Sequence, residues 1–237
     1  MFDPQLLALS PPGWGGVLLR GLATSLQVAG AGYGLGLLIG FCGAIARLSG
    51  PLWLRDLVVI YTTLIRAIPE LVLILLIYFA GTAALNAGLE RLGLAAIEVS
   101  PFAAGITVIA LVQGAYATEV IRGAIQAIPR GQIEAAAAFG LTRGRLLRRI
   151  VLPAMLPHAL PGLANLWLIA TKDTALLAVV GFTELTLATR QAAGTTKHYL
   201  TFFCAAGVLY LAVTLISTVL FRWLERRSRR HMQAPRA

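Results

Sequence analysis

Residues 122–159 read RGAIQAIPRGQIEAAAAFGLTRGRLLRRIVLPAMLPHA, and this segment, which lies between two apolar runs, is the most informative about the fold. Half of residues 132–139 are alanine, and the segment includes Glu134, a composition that favours a short helix. Gly140 follows where glycine commonly ends a helix, and Thr142 can cap a second helix over residues 143–152. The segment therefore predicts a slim helix, a glycine turn and an amphipathic basic helix.

The end of this stretch is marked by three prolines. Pro153, Pro157 and Pro161 follow one another at four-residue spacing, so one helical face repeatedly lacks backbone donors. We expect these prolines to mark the turn into the apolar run that follows. From the residues alone, the pair of helices in segment 122–159 either docks into another protein or packs against the apolar helices of its own chain.

The chain as a whole has the composition of a membrane protein. It is 58% hydrophobic and 13% charged, whereas soluble domains carry roughly 25% charged residues. A membrane helix needs about 20 apolar residues, and five runs qualify: 22–46, 57–80, 102–121, 160–182 and 202–223. We therefore predict an all-α integral membrane protein, a single domain over 1–237 that contains the loop 122–159.

The basic residues that flank these runs predict the orientation. Four lie on one side, namely Arg20, Arg91, Arg190 and Lys197, and 14 lie on the other. The 14 are Arg47, Arg55, Arg122, Arg130, Arg143, Arg145, Arg148, Arg149, Arg222, Arg226, Arg227, Arg229, Arg230 and Arg236. Since basic residues are enriched in cytoplasmic segments, we expect the N-terminus outside and the C-terminus in the cytoplasm.

Several function classes are disfavoured. The formal net charge of +10 sits mostly beside apolar runs, so the basic tail from Arg222 onward predicts a lipid-headgroup anchor rather than nucleic-acid binding. Cys42 and Cys204 have no partner nearby in sequence and indicate neither a disulfide nor a metal site. No phosphate-binding Gly-Lys-Ser/Thr loop and no nucleophile–base set is present. We therefore expect no cofactor, no metal and no catalytic site in this chain.

Ionisable residues inside the predicted spans are candidates for a substrate path, because each costs roughly 2.5–3.5 kcal/mol to insert. Arg66 and Glu70 are four apart and are expected to pair on one helical face, with Pro69 kinking the helix between them. Lys172 and Asp173 lie in the fourth run. The pair Arg66–Glu70 either locks helices together or leaves Glu70 to bind a cationic substrate.

Other polar residues complete the candidate path. Glu119, near the cytoplasmic end of the third run, could attract a cation, extend its carboxylate to the membrane interface or pair with Arg122. Gln113, Asn165 and Thr171 could line the path, although hydrogen bonding between helices is the preferred role for each.

The loop also carries a family pattern: E-A-A, three residues, G, nine residues, I, one residue, L-P. The positions are Glu134, Ala135, Ala136, Gly140, Ile150, Leu152 and Pro153. This pattern resembles the coupling-loop signature of ABC importer permeases. Segments 61–79, 114–140 and 159–181 are similar to the polar amino-acid subfamily, most of all to the Q-type permeases of histidine/lysine/arginine/ornithine importers.

The resemblance implies a type I importer (MetI-like) permease fold in the bacterial inner membrane. Its implied partners are a second permease (homologous or identical), two ATPase subunits that bind ATP-Mg, and a periplasmic or lipid-anchored substrate-binding protein. It places Glu134 to Ala137 in an ATPase groove. The implied cargo is a basic amino acid, with glutamine, glutamate or an opine as alternatives.

A secondary transporter driven by an ion gradient is the rival class. Such folds usually contain internal repeats and more spans, and we detect no repeat here.

Overall fold

The computed structural model describes residues 4–229, which are helical with no strand within that range. Arg230 and Arg236 of the basic tail lie outside the described residues. A short 3-10 turn, Pro4–Leu7, precedes the first helix. The helices are α1 (Gly15–Ser49), α2 (Leu52–Ala67), α3 (Glu70–Arg91), α4 (Pro101–Gln126), α5 (Arg130–Ala138), α6 (Arg143–Val180), α7 (Leu185–Thr196) and α8 (Tyr199–Arg229).

The predicted number of membrane spans is confirmed. Between residues 4 and 229, 5 helices are long and apolar enough to cross a membrane: α1, α3, α4, α6 and α8. Helices α2, α5 and α7 are the shorter elements that connect or flank them.

The second span does not run where the sequence predicted. The expected helix over 57–80 is broken, because α2 ends at Ala67 and α3 begins at Glu70. Pro69 has no N–H to continue the helix and disfavours helical backbone at the preceding residue. Ile68 accordingly has φ −102° and ψ 136°. Arg66 and Glu70 therefore do not share a helical face, and the helix in this region that is long and apolar enough to cross a membrane runs from Glu70 to Arg91.

The three prolines do not form the expected turn either. Helix α6 begins at Arg143 and runs through Pro153, Pro157 and Pro161 as one 38-residue helix. It widens into a π-helical turn at Leu147–Val151, just before Pro153. A proline removes one backbone hydrogen bond from the preceding turn, and its ring crowds the carbonyl there. A local π-helical turn makes room for the ring, so the helix can continue. The second helix predicted in segment 122–159 and the fourth predicted span are therefore one continuous helix.

Helix α4 forms the centre of the molecule. It packs along α1 on one side and against α6 on another. Val108, Ile109 and Val112 of α4 are buried in a core shared with Val28 of α1 and Ala170 of α6.

The close contact between α1 and α4 depends on glycines at four-residue spacing in α1. A Cβ on Gly36 would lie 2.8 Å from the Cβ of Gln113, and one on Gly40 would overlap Ala117. Small residues of this kind allow membrane helices to approach backbone to backbone.

At the opposite end of α1 from Ser49, a buried carboxylate joins three helices. Glu184, just before α7, is 0% exposed. It accepts hydrogen bonds from the backbone N–H groups of Thr186 (2.8 Å) and Leu187 (2.9 Å) and from the hydroxyls of Ser25 and Tyr210 (both 3.2 Å). The carboxylate thus caps α7 and ties it to α1 and α8.

Candidate functional site

The loop segment forms the predicted helix–turn–helix. Helix α5 has one buried residue, Ala136, so most of its surface is exposed. Gly140 has φ +73°, and its N–H donates to Ala137 O (2.9 Å), while Leu141 N–H donates to Ala136 O (3.3 Å). These two bonds form a Schellman motif, in which the residue at the Gly140 position adopts left-handed backbone. The prediction that Gly140 ends this helix is confirmed.

The rest of the pattern lies on α6. Ile150, Leu152 and Pro153 fall within or just after its π-helical turn, and Leu152 packs against the core between α4 and α6. Thr142 has extended backbone (ψ 154°) before α6, but its side chain makes no bond to the helix backbone. Its hydroxyl accepts from Arg145 Nε at 3.2 Å instead.

Helix α5 ends in an exposed aromatic side chain. Phe139, directly before Gly140, is 87% exposed. Together with Glu134, Ala135 and Ala137, which are also exposed, it gives α5 a slim outer face that ends in one large apolar group.

A second group of side chains surrounds Tyr116 of α4. The Tyr116 hydroxyl donates to Glu70 Oε1 at 3.3 Å. The Arg66 guanidinium carbon lies 5.7 Å from the centre of the Tyr116 ring, a cation–π distance. Arg66 and Glu70 therefore come together through Tyr116, and no direct ion pair joins them within residues 4–229.

Lys172 and Asp173 of α6 extend this group. They lie next to it, because the residues that follow them, 174–180, pack against the first turns of α3. Lys172 is exposed and Asp173 is half-buried. The polar cluster, which we define as Arg66, Glu70, Tyr116, Lys172 and Asp173, thus carries two cations and two carboxylates.

Glu119 lies apart from the polar cluster. Its two oxygens accept from Arg47 (3.2 Å) and from Arg122 (2.7 Å), so the carboxylate already has two guanidinium partners. Of the roles left open for Glu119, the structure contains the pairing with Arg122. With two cations around one anion, the group does not favour a further cation.

The remaining predicted path residues are scattered. Gln113 of α4 is 1% exposed, and both polar atoms of its side chain lack a hydrogen-bond partner in the described chain. The Thr171 hydroxyl donates to Leu168 O of its own helix at 2.9 Å. Asn165 is exposed on α6.

Sequence reasoning missed Tyr116 and Glu184. The sequence signal for Tyr116 was its polar hydroxyl inside an apolar run, two residues after Gly114. Glu184 lies just past the fourth predicted run, which ends at residue 182, so it was not among the ionisable residues considered inside the spans. Only the fold shows that it is enclosed by α1, α7 and α8.

Comparisons with known proteins agree with these features. Residues 32–230 match the family described as binding-protein-dependent transport system inner membrane component. The histidine/lysine/arginine/ornithine transport system permease protein HisQ of Escherichia coli (strain K12) is 41% identical over 215 residues, 91% of this chain and 94% of that protein. The octopine transport system permease protein OccQ of Rhizobium radiobacter is 39% identical over 230 residues, 97% of each.

Two solved structures share the fold. The crystal structure of an amino acid ABC transporter with histidines superposes with a TM-score of 0.75 at 28% identity, covering 90% of this chain and 95% of that one. An inward-facing MetNI methionine ABC transporter superposes with a TM-score of 0.67 at 20% identity, covering 89% and 94%.

Proposed function

The chain belongs to the family of binding-protein-dependent transport system inner membrane components, and we propose that it is the permease subunit of an ATP-driven importer of basic amino acids. Its fold is the predicted type I importer permease (MetI-like) fold. The observation that carries the proposal is the exposed helix–turn–helix of α5, Gly140 and α6. In this proposal, the exposed face of α5 is a docking face beside the start of α6. Lys172 and Asp173 lie in the C-terminal part of α6.

The chain lies in the bacterial inner membrane in this proposal, with α5 on the cytoplasmic side. The excess of basic residues on the side of α5 supports that orientation. The cytoplasm is also where ATP is available to a partner subunit.

ATP hydrolysis belongs to two partner ATPase subunits, which bind ATP-Mg, and this chain has no catalytic role. Residues Glu134 to Ala137 and Phe139 of α5 enter a groove on the ATPase. When the ATPase dimer closes, α5 moves as a rigid body with its turn at Gly140. Helix α6 rises about 1.5 Å per residue and transmits that movement across the membrane.

The polar cluster is the proposed cargo contact. A basic amino acid carries a carboxylate, an α-amino group and a side-chain cation. Arg66 and Lys172 suit the carboxylate, while Glu70 and Asp173 suit the cations. The likeness to HisQ over 91% of the chain supports basic cargo. The likeness to OccQ makes an opine the second candidate.

Further partners complete the importer. A second permease, homologous or identical, forms the other half of the path, and a substrate-binding protein delivers cargo to the outer face. The exposed apolar residues of α2 and α8, for example Trp53, Ile60 and Ile216, are available for that permease or for lipid.

The test is uptake of labelled arginine into proteoliposomes that contain this chain with candidate permease, ATPase and binding-protein subunits. We expect uptake that requires ATP and falls in Glu70→Gln. The matched control is Glu90→Gln, which removes an exposed carboxylate at the other end of α3. Uptake driven by an ion gradient without the ATPase would contradict the proposed mechanism. ATP-driven uptake of octopine but not arginine would change the cargo only.

A further inference from the structure

A groove of about 1110 Å³ lies where α1 and α4 end and α5 and α6 begin. Each of these helices contributes apolar lining: Leu48 from α1, Ile125 from α4, Ile133 from α5 and Leu147 from α6. Two helices that are long and apolar enough to span a membrane, α1 and α4, end here at Ser49 and Gln126, so we place the groove at the edge of the membrane.

The mouth of this groove is cationic. Arg130 and Arg143 line it, and no acidic residue lines it within residues 4–229. Neither arginine has a carboxylate partner in the described chain, whereas Arg47, Arg122 and Arg229 do. Arg130 and Arg143 are also the first residues of α5 and α6, so the positive ends of two helix dipoles add to the charge.

We propose that this groove binds one anionic phospholipid of the surrounding membrane, with its phosphate held by Arg130 and Arg143 and an acyl chain in the apolar trough. An arginine side chain can donate two parallel N–H hydrogen bonds to the oxygens of one phosphate group. A basic pocket between membrane helices at the cytoplasmic boundary suits an anionic lipid headgroup. A soluble anion would satisfy the arginines but would leave the apolar walls of all four helices uncovered.

The proposal goes beyond the transport function, because the groove is separate from the polar cluster and from the outer face of α5. The lipid would fill the space between α5 and the ends of α1 and α4. It would thereby hold α5 in place against the ends of the spanning helices α1 and α4.

The test is native mass spectrometry of the full chain, stripped of lipid in detergent and titrated with phosphatidylglycerol or phosphatidylcholine. We expect one phosphatidylglycerol bound more tightly than phosphatidylcholine. Each basic residue near an anionic lipid contributes about 1 kcal/mol. The double variant Arg130→Gln/Arg143→Gln should therefore bind phosphatidylglycerol roughly 30-fold more weakly.

The matched control is Arg148→Gln/Arg149→Gln, which removes the same charge from exposed positions of α6 that do not line the groove. A further variant, Ser49→Trp, fills the groove and keeps both arginines. It should also weaken phosphatidylglycerol binding. Melting curves in detergent identify any variant that fails to fold.

Three results would overturn the proposal. Equal binding of the two lipids would show that the headgroup charge is not recognised. An equal loss in both double variants would indicate general charge attraction. Displacement of the lipid by millimolar glycerol phosphate, with no effect of Ser49→Trp, would indicate an anion site without an acyl-chain groove.

Discussion

The Tyr116 hydroxyl donates a 3.3 Å hydrogen bond to the Glu70 carboxylate and so joins the middle of α4 to the first turn of α3. The ring of the same tyrosine lies beneath the Arg66 guanidinium. One side chain therefore positions both a cation and an anion of the polar cluster, on either side of the break at Pro69. The two contacts use different parts of the tyrosine, the ring and the hydroxyl, and can be separated by substitution.

Tyr116→Phe removes the hydroxyl and keeps the ring over which Arg66 lies. A hydrogen bond to a charged group contributes about 1.5–3 kcal/mol, so losing it should leave Glu70 less well oriented. We expect the KM for arginine uptake to rise about tenfold with little change in the maximal rate. Uptake kinetics in proteoliposomes measure both quantities.

The control for that prediction is Tyr78→Phe. Tyr78 is a half-buried residue of α3 whose hydroxyl makes no hydrogen bond in the described part of the chain. An unchanged KM in Tyr116→Phe would mean that the hydroxyl does not help to orient Glu70 for cargo.

Gly140→Ala tests the turn between α5 and α6. A residue with a Cβ at φ +73° costs roughly 1–2 kcal/mol in left-handed backbone. The turn should therefore shift away from this conformation and weaken the link between the ATPase and the spans. We expect arginine uptake to fall about tenfold while membrane insertion and ATP hydrolysis by the partner persist, as measured by uptake and phosphate release.

Gly93→Ala is the control for Gly140→Ala, because Gly93 also has positive φ, +71°, and follows α3 away from the coupling segment. It imposes the same backbone strain elsewhere. If both variants lost uptake equally, general destabilisation rather than coupling would be the cause.

The features of the fold that the sequence predicted correctly are those that depend on residues close together in the chain. The glycine turn at Gly140 was predictable, because a left-handed position after an alanine-rich helix depends on a few neighbouring residues. The five spans were predictable from apolar length, since lipid leaves few alternatives to helix. These features require no knowledge of what lies across the fold.

The errors arose where proline was involved. Pro69 was expected to kink a helix and instead separates α2 from α3. Pro153 was expected to help end a helix and instead lies inside α6. Whether a helix continues through proline depends on whether neighbouring turns can adjust, as the π-helical turn before Pro153 does. The polar cluster was predicted except for Tyr116. Its four charged members were identified from the sequence, but the tyrosine that joins Arg66 to Glu70 lies on another helix, and only the fold brings it to them.

Glu184→Ala should destabilise the fold. It removes the acceptor for two backbone N–H groups and two hydroxyls in a fully buried site. Loss of the cap and of these bonds should cost about 3 kcal/mol. For a chain of this size we expect the melting temperature in detergent to fall by about 6–12 °C.

Glu184→Gln should have a smaller effect, because one oxygen remains to cap α7. Glu90→Ala is the control, since that carboxylate is exposed on α3. Equal melting temperatures for Glu184→Ala and Glu90→Ala would show that the buried network contributes little to stability.

Gly40→Leu tests the contact between α1 and α4. A Cβ at Gly40 would overlap Ala117 and lie 2.9 Å from the backbone N of Thr118, and backbone cannot move aside as a flexible side chain can. Overpacking of this kind typically costs 1–3 kcal/mol. Gly34→Leu is the matched control, because it makes the same change in the same helix with no atom within 4 Å of the added Cβ. We expect a lower melting temperature and a smaller monodisperse fraction in size-exclusion chromatography for Gly40→Leu alone. Indistinguishable behaviour of the two variants would mean that α1 and α4 can separate without loss of stability, and that the glycine spacing does not determine their packing.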